Sequence, residues 1–172
     1  MLLSVEQLTA RLAGTGRSIQ ELVLAAPPEQ VRWKPAPEKW SILEVVNHLA
    51  DEEAEDFRAR LDLLLHHPGE PWPPIDPRAW VRERRYGERD PGESLARFRS
   101  ERERSLAWLR EIGPPDWERS YSHPQLGVLT AGSIAASWLA HDLLHVRQLA
   151  RLHWEFVSAG VAPHSAAYAG AW

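Results

Sequence analysis

Hydrophobic side chains recur along this chain with the period of about 3.6 residues that marks α-helices, in four long stretches punctuated by proline. In residues 4–24, Val5, Leu8, Leu12, Ile19 and Leu22 share a face and Pro27-Pro28 closes the run, which predicts a first helix. The stretch 31–40 (VRWKPAPEKW) holds Pro35 and Pro37 and suits an extended connector. Ser41-Ile42-Leu43-Glu44 then matches a capping box, in which the serine hydroxyl accepts the N3 amide and the glutamate reaches back to the cap amide. The second helix begins there and carries Val46, Ala50, Ala54, Phe57, Leu61 and Leu64 in one stripe to about His66.

Six prolines between residues 68 and 91 forbid a long helix, so a long Pro-rich loop joins helices two and three, with a short turn near Ala79–Arg85 and with Trp72, Trp80 and Tyr86 available to cover something. After Pro91-Gly92, Leu95, Phe98, Arg102, Leu106 and Leu109 repeat at helical spacing until Gly113-Pro114-Pro115. A connector with Trp117, His123-Pro124 and Gly127 precedes a last helix over residues 130–156. With no strand pattern, the expectation is an all-α four-helix bundle in a single domain over residues 1–157, followed by an Ala/Gly-rich tail, 158–172.

Composition narrows the function classes. Twenty basic and 24 acidic side chains are interspersed to a net charge of -4, leaving no basic face for nucleic acid or anionic lipid. The start, MLLSVEQLTARL, is no secretory leader and no segment has 18 uninterrupted apolar residues, so a soluble, cytoplasmic protein with no membrane partner is expected. The chain has no cysteine, which leaves His, Asp and Glu as the only side chains for a metal.

The strongest chemical signal lies in the last helix. His141 and His145 are four apart, one above the other on a single face, and Ile134, Trp138, Leu149 and Leu152 fall within roughly 60° of them, so both point into the bundle. Two imidazoles in a core need partners for their ring nitrogens, and a metal ion bridging them supplies one. His48, two turns past the Ser41 cap, sits at the flank of the second helix's stripe and near its end; from a facing helix it would complete a three-nitrogen set with an open coordination position. Glu44 and Glu52 lie one turn either side of His48 and are the candidate base or supporting carboxylates, although solvated helix charge, with Glu44 only capping, is the more ordinary role. His141-Asp142-Leu143-Leu144-His145 is one methylene short of the His-Glu-x-x-His helix of zinc proteases; the shorter Asp142 reaches less far and no downstream third ligand follows, so a protease is not expected. His66, His67, His153 and His164 have no expected ligand role, and His123 is a weaker candidate from its connector.

Residues 39–51 (KWSILEVVNHLAD) and 141–149 (HDLLHVRQL) resemble the two diagnostic motifs of the DinB-like (YfiT-like) superfamily of metal-dependent hydrolases and thiol S-transferases. His123-Pro124, Gly127 and Thr130 are similar to that family's connector before its last helix, and the match runs from about residue 4 to 156. The resemblance implies a divalent ion, nickel or zinc, on His48, His141 and His145, and a homodimer. It implies transfer of a low-molecular-weight thiol cosubstrate to a small-molecule electrophile, with hydrolysis by metal-bound water, or a non-catalytic metal-binding role in stress response or association, as the alternatives.

Overall fold

The architecture comes from a computed structural model describing residues 4–170 and 172. Helix α1 spans Val5–Leu24 and opens on a capping box of Ser4 with Gln7. A single turn, α2 (Pro28–Val31), starts with proline at its first helical position, inside the stretch expected to precede the second long helix. The second rod begins at Ser41 with the predicted reciprocal cap: Glu44 N donates to Ser41 Oγ and Ser41 N donates to Glu44 Oε2. It is built in three parts, α3 (Ile42–Asp51), a π-helical turn (Glu52–Phe57) and α4 (Arg58–His66). The π turn shifts the phase of the predicted stripe, so that Glu53 and Phe57 are buried and Ala54 only half-buried.

The proline-rich segment is more ordered than the sequence suggests. It contains α5 (Pro77–Glu83), capped by Asp76, and a 3-10 turn at Tyr86–Glu88. Both lie against α3, where Arg84 Nη1 donates to Asp51 Oδ2 at 2.6 Å, the Tyr86 hydroxyl donates to the same oxygen, and Arg89 donates to Asn47 Oδ1 at 3.0 Å. All ten residues of α3 are buried as a result. Trp72, Trp80 and Tyr86 are buried as well, so the predicted cover is real.

The third rod, α6, spans Pro91–Glu111, and the fourth, α7, spans Ala131–Gly160, four residues beyond the expected end. Between them a hairpin pairs β1 (Ser120–His123) with β2 (Gly127–Thr130) in antiparallel register, Ser120 opposite Thr130. Four residues per strand are too few to show a period of two, which is why no strand was expected. The turn is closed by the His123 ring, whose Nδ1 accepts the amides of Gln125 and Leu126, and by Gly127 at φ 75°. Beyond α7 the chain makes a 3-10 turn at Ala167–Ala169, and the Trp172 ring lies 5.9 Å from that of Trp154. No helix among the described residues is long and apolar enough to cross a membrane.

The bundle core is divided along its length. One cluster holds Ile19, Val46, Leu49, Phe98, Leu149 and Leu152; the other holds Leu8, Leu12, Phe57, Leu61, Leu109 and Trp138. On every rod the chain passes from one cluster to the other through polar residues: Thr15 on α1, Glu52 and Glu53 in the π turn, Arg102 on α6, and His141, Asp142 and His145 on α7. The candidate chemistry occupies this layer.

Candidate metal centre

His48 is carried by α3 and the pair His141 and His145 by α7. Their Nε2 atoms converge, with His141 Nε2 lying 3.1 Å from that of His145 and 3.4 Å from that of His48. One nitrogen from each ring falls within 4.8 Å of the others, the one such group among the described residues. Two ligand nitrogens on a tetrahedral ion with bonds of ~2.0–2.1 Å stand roughly 3.3 Å apart, close to the two spacings from His141. His145 and His48 are buried; His141 is half-buried rather than buried. His48 was expected at the flank and near the end of its helix, and the structure corrects this: it is 5 % exposed and lies within a rod that continues to His66. Trp40 packs on its ring at 4.8 Å, and Phe57 on that of His141 at 5.1 Å.

Burial pushes all three histidines below their ordinary pKa; neighbouring rings add to it at His48, brought to about 2, and at His141, brought to about 4, while Gln148 and Asp142 oppose it at His145. They are therefore neutral imidazoles at neutral pH. To offer all three Nε2 lone pairs to one ion, each neutral ring would carry its proton on Nδ1. The Nδ1 atoms of His48 and His145 are buried without a hydrogen-bond partner. Gln148, one turn beyond His145, raises its proton affinity without meeting hydrogen-bond geometry at Nδ1. This donor set fits a divalent cation in place of protons.

The two carboxylates predicted to flank His48 separate. Glu52 joins the cluster: Oε2 is 3.8 Å from His141 Nε2 and Oε1 is 4.0 Å from His48 Nδ1. Burial, reinforced by the adjacent Asp56 carboxyl, pushes Glu52 up to about 8, and Asp56 is held by Arg60 Nε at 2.6 Å. Glu44 does not join; its two oxygens are taken by the Ser41 amide and by Lys34 Nζ at 2.7 Å. Capping is its role, the more ordinary of the two expected.

Other histidines stand apart from the cluster. His123 closes its hairpin turn, His153 bridges Gln30 and the Leu22 carbonyl, and His66 pairs with Asp62 at 2.7 Å. A cavity of about 230 Å³ opens beside the cluster, walled by Trp40, Lys39, Gln148, Arg151 and Leu152.

Four charged residues around the centre went unrecognised in the sequence. Arg102, Glu53, Asp142 and Asp51 are all buried; Asp51 and Asp142 stand inside the two family motifs, and Arg102 and Glu53 in stretches read only for their helical periodicity. A charge inside an apolar stripe, as at Arg102 between Phe98 and Leu109, was the available signal.

A bundle of four rods with such a histidine cluster at mid-height defines a class, and the sequence places the chain within it: the model of the DinB superfamily matches residues 11–149, and the chain belongs to that family. Over 116 residues it is 29% identical to a protein of Oceanobacillus iheyensis that bears the name "Putative metal-dependent hydrolase OB0782", the match covering 65% of this chain and 66%, just under two thirds, of that protein. Among solved structures it is similar to YfiT from Bacillus subtilis, described as a probable metal-dependent hydrolase with an unusual four-helix bundle topology. The two share 22% identity at a TM-score of 0.77, over 89% of this chain and 87% of the other, a likeness of fold.

Proposed function

We propose that this protein is a metal-dependent hydrolase whose centre is a divalent ion, nickel or zinc, held by His48, His141 and His145, with Glu52 as the base. The carrying observation is the position of Glu52, a carboxylate 3.8 Å from His141 Nε2 and so within reach of a nucleophile poised at the converging nitrogens. Such an ion is a Lewis acid that brings the pKa of a bound nucleophile toward neutrality and keeps a position open beyond three histidines. The chain supplies the rest. The histidines arrive uncharged, so no proton has to leave them, and Glu52, pushed up to about 8, holds a proton near neutral pH where acid and base roles are both accessible. Asp56, itself paired with Arg60, shares a hydrogen bond with the Glu52 carboxyl that favours its protonated form. The names borne by the two relatives support the same reading.

Transfer of a low-molecular-weight thiol to an electrophile is the second reading. The cavity beside Trp40 and Gln148 favours it, because it gives an organic cosubstrate room against Trp40, whose ring packs on His48. A small-molecule substrate and a homodimer belong to the proposal.

Metal-loaded protein is to be assayed for ester and amide cleavage and, separately, for conjugation of a thiol with monochlorobimane. Hydrolysis predicts cleavage that is lost on chelation, needs no thiol, and falls about 10²-fold or more in Glu52→Gln with metal content unchanged. Chelator-sensitive conjugation without cleavage moves the assignment to transfer. Bound metal with neither activity leaves a non-catalytic metal-binding protein.

A further inference from the structure

We infer that Arg102 is the positioning residue of this centre: one buried guanidinium sets the distance between the element that carries Glu52 and the helix that carries His141 and His145. The inference rests on the metal-centre reading above and deepens it.

A guanidinium has five N–H donors in a rigid fork. At Arg102, 4 % exposed, each one is used. Nε and Nη2 donate to Glu53 Oε1 and Oε2, both at 2.8 Å; Nη2 and Nη1 donate to Asp142 Oδ1 and Oδ2 at 2.9 and 2.7 Å; Nη1 also donates to the Leu12 carbonyl at 2.7 Å. The acceptors are anchored in turn, Glu53 by the Trp138 indole at 3.1 Å and Asp142 by the Thr15 hydroxyl. One side chain of α6 thereby ties α1, the π turn and α7.

The two carboxylates it grips are the chain neighbours of centre residues. Glu53 follows Glu52 and Asp142 follows His141, so the fork fixes the backbone next to both partners of the 3.8 Å Glu52–His141 approach. A bidentate pair constrains angle as well as distance, which an apolar contact does not. Two carboxylates against one guanidinium also leave a buried net charge of about -1 beside ligands that are themselves uncharged, a complement to a cation. Asp142 raises the proton affinity of His141 and His145, while the Arg102 charge opposes it at His141. Apolar residues of equal volume would serve stability at least as well as a buried ion triad. Geometry and field at the centre are what the triad adds.

The test is Co²⁺ titration of the metal-stripped full chain, read by visible absorption and by binding constant, with melting temperature measured alongside. Arg102→Lys keeps the charge and loses the fork; Asp142→Asn keeps the shape and loses the charge; Thr15→Val removes only the anchor on Asp142. Leu109→Ala, in the core on the same helix, is the control for lost stability alone. Arg102→Lys and Asp142→Asn are expected to bind Co²⁺ about 10–100-fold more weakly with an altered absorption envelope, Thr15→Val to show a smaller loss, and Leu109→Ala to bind as wild type despite a lower melting temperature. Wild-type affinity and spectrum in the folded Asp142→Asn and Thr15→Val proteins would reduce Arg102 to a fold contact and overturn the inference while leaving the centre standing. A wild-type chain that binds no Co²⁺ would remove the centre and this inference together.

Discussion

His141 and His145 could be found from spacing alone, because four residues on a helix stack two imidazoles and the surrounding Ile134, Trp138, Leu149 and Leu152 put that face inside. His48 was legible through the family motif more than through its own helix, since the Trp40 ring that packs on it comes from a connector with Pro35 and Pro37 and no period to read. Glu52 and Glu44 flank His48 at one turn either side; the capping box already set Glu44 apart in the sequence, and the structure adds Lys34 to its partners while a π turn presents Glu52 to the rings. The neutral state of the histidines has a measurable consequence. In metal-stripped protein the His48 and His141 ring resonances are expected to stay in the neutral form at pH 5, where an ordinary histidine is charged. The sign for stability follows from proton binding. The unfolded chain takes up protons near pH 6.5 and the folded rings refuse them, so each histidine lowers stability progressively as pH falls below 6.5 toward its folded value, by at most about 1.4 kcal/mol per pH unit. Glu52, pushed up to about 8, acts in the opposite sense between about 4.5 and 8, so the histidine contribution is isolated by difference. Denaturant unfolding of metal-stripped wild type and His48→Gln between pH 7 and pH 5 is expected to show the variant losing less; parallel curves would mean that His48 takes up its proton in the folded state.

At the scale of elements, helix starts were more legible than what fills the gaps between helices. Ser41 and Glu44 announce α3 through a local reciprocal bond that needs no tertiary context, and the structure has it. Ser41→Ala is expected to cost about 1 kcal/mol and to lower the melting temperature by roughly 2–4 °C, with metal content unchanged, because the cap lies two turns from His48. A larger fall accompanied by metal loss would show that the cap also sets the register of His48. The π turn had no sequence signature, since Glu52–Phe57 (EEAEDF) reads as ordinary amphipathic helix. It coincides with tertiary contacts on two sides, Glu53 meeting Arg102 and Trp138 while Glu52 meets the histidines. The hairpin and α5 escaped for a different reason, being too short for periodicity.

For the molecule as a whole, four amphipathic rods imply a bundle, and that much followed from hydrophobic spacing. The internal division did not. Two apolar clusters meet at a polar layer that every rod crosses, and the layer is assembled from residues far apart in the chain, Thr15, Glu53, Arg102 and Asp142 among them, so no local window reveals it. That layer is where the bundle gives up simple apolar packing, and it coincides with the histidine cluster. Such a departure from the rule for cores is expected at a functional site. The central claim, that His48, His141 and His145 hold a metal, is tested most directly by elemental analysis of protein purified without a nickel column, for wild type and for His141→Ala. The account predicts about one divalent ion per wild-type chain and near-complete loss in the variant, with helical content retained. A folded wild-type chain that carries no ion, and takes none up from added nickel or zinc, would contradict it.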